Sequence, residues 1–195
     1  YPIEIQSLWI RLLRLLARLK APTSGDAWSA IADRAAASLE QLYWLEAKGW
    51  FGDSLIAAVG VPAANAVPDQ VLRSNCLIPI SFGQLTGDRA RRCVAAARQL
   101  LVVPGALRSL APLPAEPPLP IHGPHGGLLN DPANPYWGRY EGDEDTRRKP
   151  AYHNGTAWTW TFPSFCEALV VAHEHEPEAI AAARAYLGSM DRLLE

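Results

Sequence analysis

Ten of the seventeen prolines fall between Pro104 and Pro150, in a stretch with neither a helical nor an alternating apolar period. Proline fixes φ and lacks an N–H, so no long helix or central strand can run through such a segment. The chain is therefore divided into a region before it and a region after it. A run of this length inside a compact domain is expected to be functional, because simple connections are much shorter. Tyr136, Trp137 and Tyr140 would be wasted in a solvated tether. The segment, about 104–155, reads as an ordered loop system laid over a binding face.

Before the loop the period is helical. Ile5, Leu8, Trp9, Leu12, Leu13, Leu15, Leu16 and Leu19 recur at three- and four-residue steps with Arg11, Arg14 and Arg18 among them. Lys20-Ala21-Pro22 should end that helix. A second helix is expected after Ser24 or Asp26 as N-cap, running to Lys48 with Gly49 as its stop. The two make an αα-hairpin. Residues 50–67 read as an irregular connection. A third helix is expected over 69–82, kinked or ended early at Pro79. A fourth is capped by Thr86 or Asp88 and closed by Pro104-Gly105. After the loop, Trp158 to His173 reads as a helix interrupted by Pro163, and Pro177 opens the last one. No segment alternates convincingly, so the expected class is all-α, with six helices.

Composition excludes several functions. Half the residues are hydrophobic (49%) and 19% are charged, which is not the make-up of a disordered chain. A net charge of −2 gives no electrostatic basis for binding nucleic acid or an anionic membrane. The most apolar helix carries three interior arginines, which a membrane span would not tolerate. Cys76, Cys93 and Cys166 are too few and too scattered for a disulfide framework, which suits a reducing, cytoplasmic setting. Tyr1 opens the sequence and Met190 is its only methionine, so a processed product or an excerpt is expected.

Three segments concentrate polar chemistry. Glu4 and Gln6 precede the first apolar helix, either as favourable charge at a helix N-terminus or as a polar pair at a pocket rim. Arg73 and Asn75 interrupt a core-like run, as an exposed cation and a cap or as pocket groups. Tyr152, His153, Asn154, Trp158 and Trp160 are the densest polar–aromatic cluster. They form either a buried aromatic cluster with a helix cap or a sugar pocket, where hydroxyls meet directed partners and the ring's CH face meets an aromatic plane. Asn154-Gly155-Thr156 also fits a glycosylation sequon, discounted because nothing marks the chain as secreted. Cys76 has no nearby histidine to activate it and reads as buried and inert. His173 and His175 would diverge by about 200° on a helix, so His173-Glu174-His175-Glu176 reads as a solvated helix end. No metal or cofactor is expected.

Taken in order, these segments resemble the C-terminal glucosidase domain of glycogen debranching enzymes, the amylo-α-1,6-glucosidase family. Pro2 to Trp9 resembles the family's P-[VI]-E-[IV]-x-A-L-W helix, and Leu72-Arg73-Ser74-Asn75 its L-R-P-N-Q. Gly105 to Leu110 is similar to G-L-R-[TS]-L, and Tyr136 to Gly142 to Y-x-G-x-Y-x-G. Tyr152 to Trp158 is similar to Y-H-[QN]-G-T-x-W. Ser74 and Cys76 depart from the family's proline and glutamine. The first and last motifs also resemble alkaline/neutral invertases, which cleave sucrose; the third and fourth favour the debranching family. A non-catalytic helical or carbohydrate-binding module is the reading from another class.

The resemblance implies an (α/α)6 toroid of helical hairpins, the long loop covering its pocket, and an inverting hydrolysis of α-1,6-linked glucose at glycogen or dextrin branch points. Inversion uses one carboxylic acid and one carboxylate base. In the family these are expected in W-M-D and E-[IV]-x-D-G motifs, neither of which occurs here. The catalytic pair is therefore unassigned, and Glu4, Arg73, Asn75, Tyr152, His153 and Trp158 are expected to bind substrate. A six-hairpin toroid needs roughly twice this length. The chain is then expected to supply about half the ring, the rest coming from flanking sequence, and alone to expose apolar surface that binds hydrophobic dye.

Overall fold

The computed structural model describes the backbone of residues 1–19 and 22–191, and the side chains of 1–19 and 27–191. Helix α1 (Ile3–Leu19) lies along α2 (Pro22–Tyr43) as the expected hairpin. Lys20 and Ala21, which carry the expected stop, lie outside the described residues. So do the side chains of Ser24 and Asp26, and α2 already begins at Pro22. Helix α1 buries Ile3, Ser7, Ile10 and Leu13 on one face, while Ile5, Leu8, Trp9, Leu12, Leu15 and Leu19 stay exposed on another.

The chain is mainly helical, as expected, but the expectation of no strands needs correction, because short antiparallel strands stitch the helices together. Helix α2 stops at Tyr43 rather than Lys48. Strand β1 (Trp44–Leu45) then pairs with β2 (Trp50–Phe51), with Trp44 opposite Phe51. The aromatic residues that prolong the helical pattern are also strand formers, and the Trp44 and Phe51 rings meet at 4.9 Å. Gly49 does not cap a helix: its φ of 79° closes the turn of this hairpin. Within the connection read as irregular, β3 (Leu55–Ile56) pairs with β4 (Val67–Pro68).

The helix expected over 69–82 is largely absent. Residues 69–73 are extended, Ser74–Cys76 form a 3₁₀ turn, and only Leu77–Ser81 are α-helical (α3). The cause is long-range pairing: Asp69 N–H donates to Ser54, Gln70 to Glu116, and Ala111 to the Leu72 carbonyl. Pro79 sits in the first turn of α3, where its missing N–H removes no helical bond.

Helix α4 (Gly87–Leu100) follows Thr86, whose side chain makes no capping bond. Pro104-Gly105 then turns β5 (Val102–Val103) back onto β6 (Ala106–Arg108), and β6 pairs with β7 (Ala157–Trp158). Residues 109–143 are held by cross-links such as Ala115 to Ala133 and Leu119 to Pro132. A π-helical turn, Glu144–Arg148, leads into the short α5 (Lys149–Tyr152). Because Trp158 belongs to β7, helix α6 (Phe162–Ala172) starts later than expected, with Pro163 in its first turn. Exposed Glu174, His175 and Glu176 make the turn to α7 (Pro177–Gly188), which opens on Pro177 as the spacing predicts.

The core centres on α3, α4 and α6, where Phe51, Leu77, Ile80, Leu101, Phe162 and Phe165 are fully buried. Each such side chain contributes about 1.5–3 kcal/mol of transfer free energy. Cys76 and Cys93 are buried thiols with Sγ atoms 3.5 Å apart. Among the described residues, no helix is long and apolar enough to cross a membrane.

Candidate functional site

The site is assembled where three distant segments are tied together. At the start of α1, Ile3 N–H donates to the Asp53 carbonyl at 2.9 Å and Leu55 N–H to that of Tyr1 at 3.1 Å. That clamp places Glu4, in the first turn, beside Asp53. Gly52 allows the 69–73 segment to come equally close, since a Cβ there would lie 2.6 Å from the Asp69 carbonyl oxygen. Asp53, Asp69 and Glu4 thereby share one wall.

Arg73 is the tie to the third segment. Its Nη1 donates to the His153 carbonyl, its Nη2 to Asn154 Oδ1 at 2.9 Å, and its Nε faces Asp53 Oδ2 at 3.6 Å. Asn75 Nδ2 donates to the other Asp53 oxygen at 3.1 Å. Asn154 is consumed structurally, because its Nδ2 donates to the Pro150 carbonyl at 2.9 Å. The sequon asparagine is thus a buried strut.

An aromatic wall completes the enclosure. Trp158 Nε1 donates to the Tyr152 carbonyl at 3.0 Å, and the Trp158 and Tyr152 ring centroids lie 5.2 Å apart. Tyr140 packs edge-on against both, at 5.4 and 5.6 Å. That contact joins the Tyr136–Gly142 and Tyr152–Trp158 motifs in space.

These walls bound a cavity of about 510 Å³. All six residues expected to bind substrate, Glu4, Arg73, Asn75, Tyr152, His153 and Trp158, line it. Gln6, paired with Glu4 in the sequence reading, does not. The long loop contributes Ser109, Tyr152 and His153 to the lining, so the cavity is bordered by the ends of the loop rather than covered by its middle. Sequence reasoning missed Asp53, Asp69, Ser74, Ser109 and Thr161, and left Trp160 without a binding role. For Asp53 the available signal was the Trp50-Phe51-Gly52-Asp53 run, an aromatic pair followed by a glycine that permits close backbone approach.

Burial dominates the electrostatics. It raises the Glu4 carboxyl above its ordinary value, reinforced by the charge of Asp53 and opposed by a backbone hydrogen bond. Burial also raises Asp53, opposed by Arg73 and then Asn75, and raises Asp69, opposed by the Val71 N–H. His153 is held below the ordinary histidine value by burial and by Arg73. One atom is conspicuous: Glu4 Oε2 is buried without a hydrogen-bond partner. Buried polar atoms normally have one. Both Asp53 oxygens are engaged by Arg73 and Asn75, and no three acidic, histidine or cysteine side chains form a metal cage among the described residues. The cavity therefore offers acceptors from Glu4, Asp53 and Asp69, Arg73 and Asn75 beside them, and flat aromatic surface from Tyr152 and Trp158.

Comparison with known proteins gives one result for the whole chain. A family model described as amylo-alpha-1,6-glucosidase matches residues 1–116 and 121–195. No curated protein matches the chain. Family and cavity agree in kind, since Glu4, Arg73, Asn75, Ser109, Tyr152, His153 and Trp158 of the lining belong to the segments that resemble the family's motifs, and this chain belongs to the amylo-alpha-1,6-glucosidase family.

Proposed function

We propose that this chain forms the glucose-binding part of a glycoside hydrolase that removes α-1,6-linked glucose from glycogen and dextrin branch points with inversion. The observation that carries the reading is the unpartnered Glu4 Oε2, in a cavity that also presents Arg73, Asn75, His153 and the Trp158 face. A sugar hydroxyl supplies the donor that Glu4 lacks, and the aromatic wall takes the ring's apolar face. Arg73 and Asn75 hold Asp53 as a fixed acceptor, so Asp53 is assigned to binding. The acid and base of the inverting step are assigned to the two family motifs that do not occur in this sequence.

The proposal extends to architecture. The ring is an (α/α)6 toroid to which this chain contributes about half, and the exposed apolar stripe of α1 is a seam for helices from the same polypeptide. A glucan substrate and three buried free thiols suit a cytoplasmic enzyme.

The test uses the complete polypeptide on a limit dextrin and on sucrose. Release of glucose from the dextrin, none from sucrose, and a ten- to hundredfold loss of kcat/KM in Glu4→Gln, on the order expected for losing a charged hydrogen bond, are the expected results. Sucrose cleavage would move the protein to the invertase reading. Sugar binding without hydrolysis would make it a binding module.

A further inference from the structure

Trp158 and Trp160 sit two residues apart and both border the cavity, but their surroundings differ. Trp158 is half-buried, its indole N–H is bonded, and Tyr140 and Tyr152 pack against its ring. Trp160 is 69% exposed, and no hydrogen bond, ring contact or cation holds it among the described residues. A residue that borders a cavity while keeping most of its surface in water stands at the mouth. Leaving an indole there forgoes a large apolar contribution, which is unusual unless something covers the ring.

The cavity is graded in the same direction. Glu4, Asp53 and Arg73, all more buried than Trp160, supply directed polar groups, and the exposed Trp160 ring supplies a flat surface that makes no hydrogen bond of its own. About 510 Å³ accommodates a single hexose with room for water. In a branched glucan the terminal glucose continues through O6 into a second ring, and that ring must leave by the mouth.

We infer that Trp160 is an outer platform for the sugar ring on the far side of the scissile bond, the glucose of the α-1,4 chain that bears the branch. The inference rests on the glucosidase reading and adds the residue that distinguishes a branched glucan from free glucose. Stacking is tolerant of ring orientation, so the platform recognises the presence of a second pyranose rather than its linkage pattern. Trp158, locked by its neighbours, serves the first ring.

The test is titration calorimetry on the complete polypeptide with glucose and with thio-linked isomaltose, whose sulfur bridge resists hydrolysis. The wild type should bind the disaccharide about tenfold more tightly than glucose, the amount one aromatic stacking contact supplies. Trp160→Ala should abolish that gain and leave glucose affinity unchanged, and Trp160→Phe should restore most of it. Because glucose binding is an internal control, a misfolded variant is distinguished from a lost platform. A gain that survives Trp160→Ala, an equal loss for both sugars in a folded variant, or a wild type that binds glucose and disaccharide alike overturns the platform while leaving the glucosidase reading standing. Failure of the wild type to bind either sugar overturns both.

Discussion

Helices α1 and α6 are both rich in apolar residues, yet the fold uses them differently. Helix α6 packs against α3, α4 and α7 and buries Phe162, Phe165, Cys166, Ala168, Leu169 and Ala172. Helix α1 buries one stripe and leaves a second, from Ile5 to Leu19, in contact with water. An amphipathic helix needs a single apolar stripe to sit on a core, so a second stripe marks a second packing face. The difference separates the part of the chain that completes its own interior from the part that leaves apolar surface in water, the surface assigned above to the proposed seam.

Removing atoms from each helix tests that contrast most directly. Phe165→Ala should cost about 3–5 kcal/mol in denaturant unfolding of the 195-residue chain, because its site is closed on all sides and cannot collapse fully. Leu12→Ser on the outer stripe should change stability by less than about 0.5 kcal/mol and lower the binding of a hydrophobic dye. Equal costs at the two positions would mean that the outer stripe of α1 is already covered, and the contrast would be lost.

A smaller effect is expected where the cavity joins the core. Arg73→Ala leaves Asp53 without its ionic partner and the His153 carbonyl and Asn154 Oδ1 without their donor. Breaking such a pair should cost about 2–3 kcal/mol, less than a wholly buried pair because both side chains keep some access to water. Thermal unfolding of Arg73→Ala beside Arg73→Lys would measure it. If alanine were tolerated as well as lysine, Arg73 would be an ordinary surface residue and the cavity wall would stand without it.

The contrast also explains what could be read in the sequence. The helices α1, α4 and α7 follow a local period, and α7 opens on a proline, so their residues identify them without help from the rest of the chain. The strands are two or three residues long and exist only because a partner segment lies beside them. Asp69, Gln70 and Leu72 fall in a segment that looks helical by composition but are drawn out by Ser54, Glu116 and Ala111 respectively. Arg73, Asn75, Tyr152 and His153 were legible through motif resemblance. Asp53 was not, since its partners Arg73 and Asn75 lie about twenty positions away and the local Trp50-Phe51-Gly52 signal before it marks a close backbone approach rather than a pocket carboxylate. The two apolar stripes of α1 were legible as one dense helix, whereas which of them is buried depends on α2 and α3.

The finest test of the cavity against the core concerns pH, because a half-buried carboxyl with one unpartnered oxygen behaves unlike a core side chain. Burial raises the Glu4 carboxyl above its ordinary value of 4.5 in the folded chain. In the window between the ordinary and the raised value, the folded state holds a proton that the unfolded state has released. Its contribution to stability is therefore complete below the ordinary value and is lost as pH rises through the raised one. Glu4→Gln cannot ionise and should escape that loss. Urea unfolding from about pH 4 to about pH 7 should show the variant gaining on the wild type as pH rises, the difference then levelling off. A constant difference across that range would mean that Glu4 ionises as freely in the fold as in the unfolded chain. Its Oε2 would then be reached by water, and the cavity's need for a hydroxyl donor would disappear.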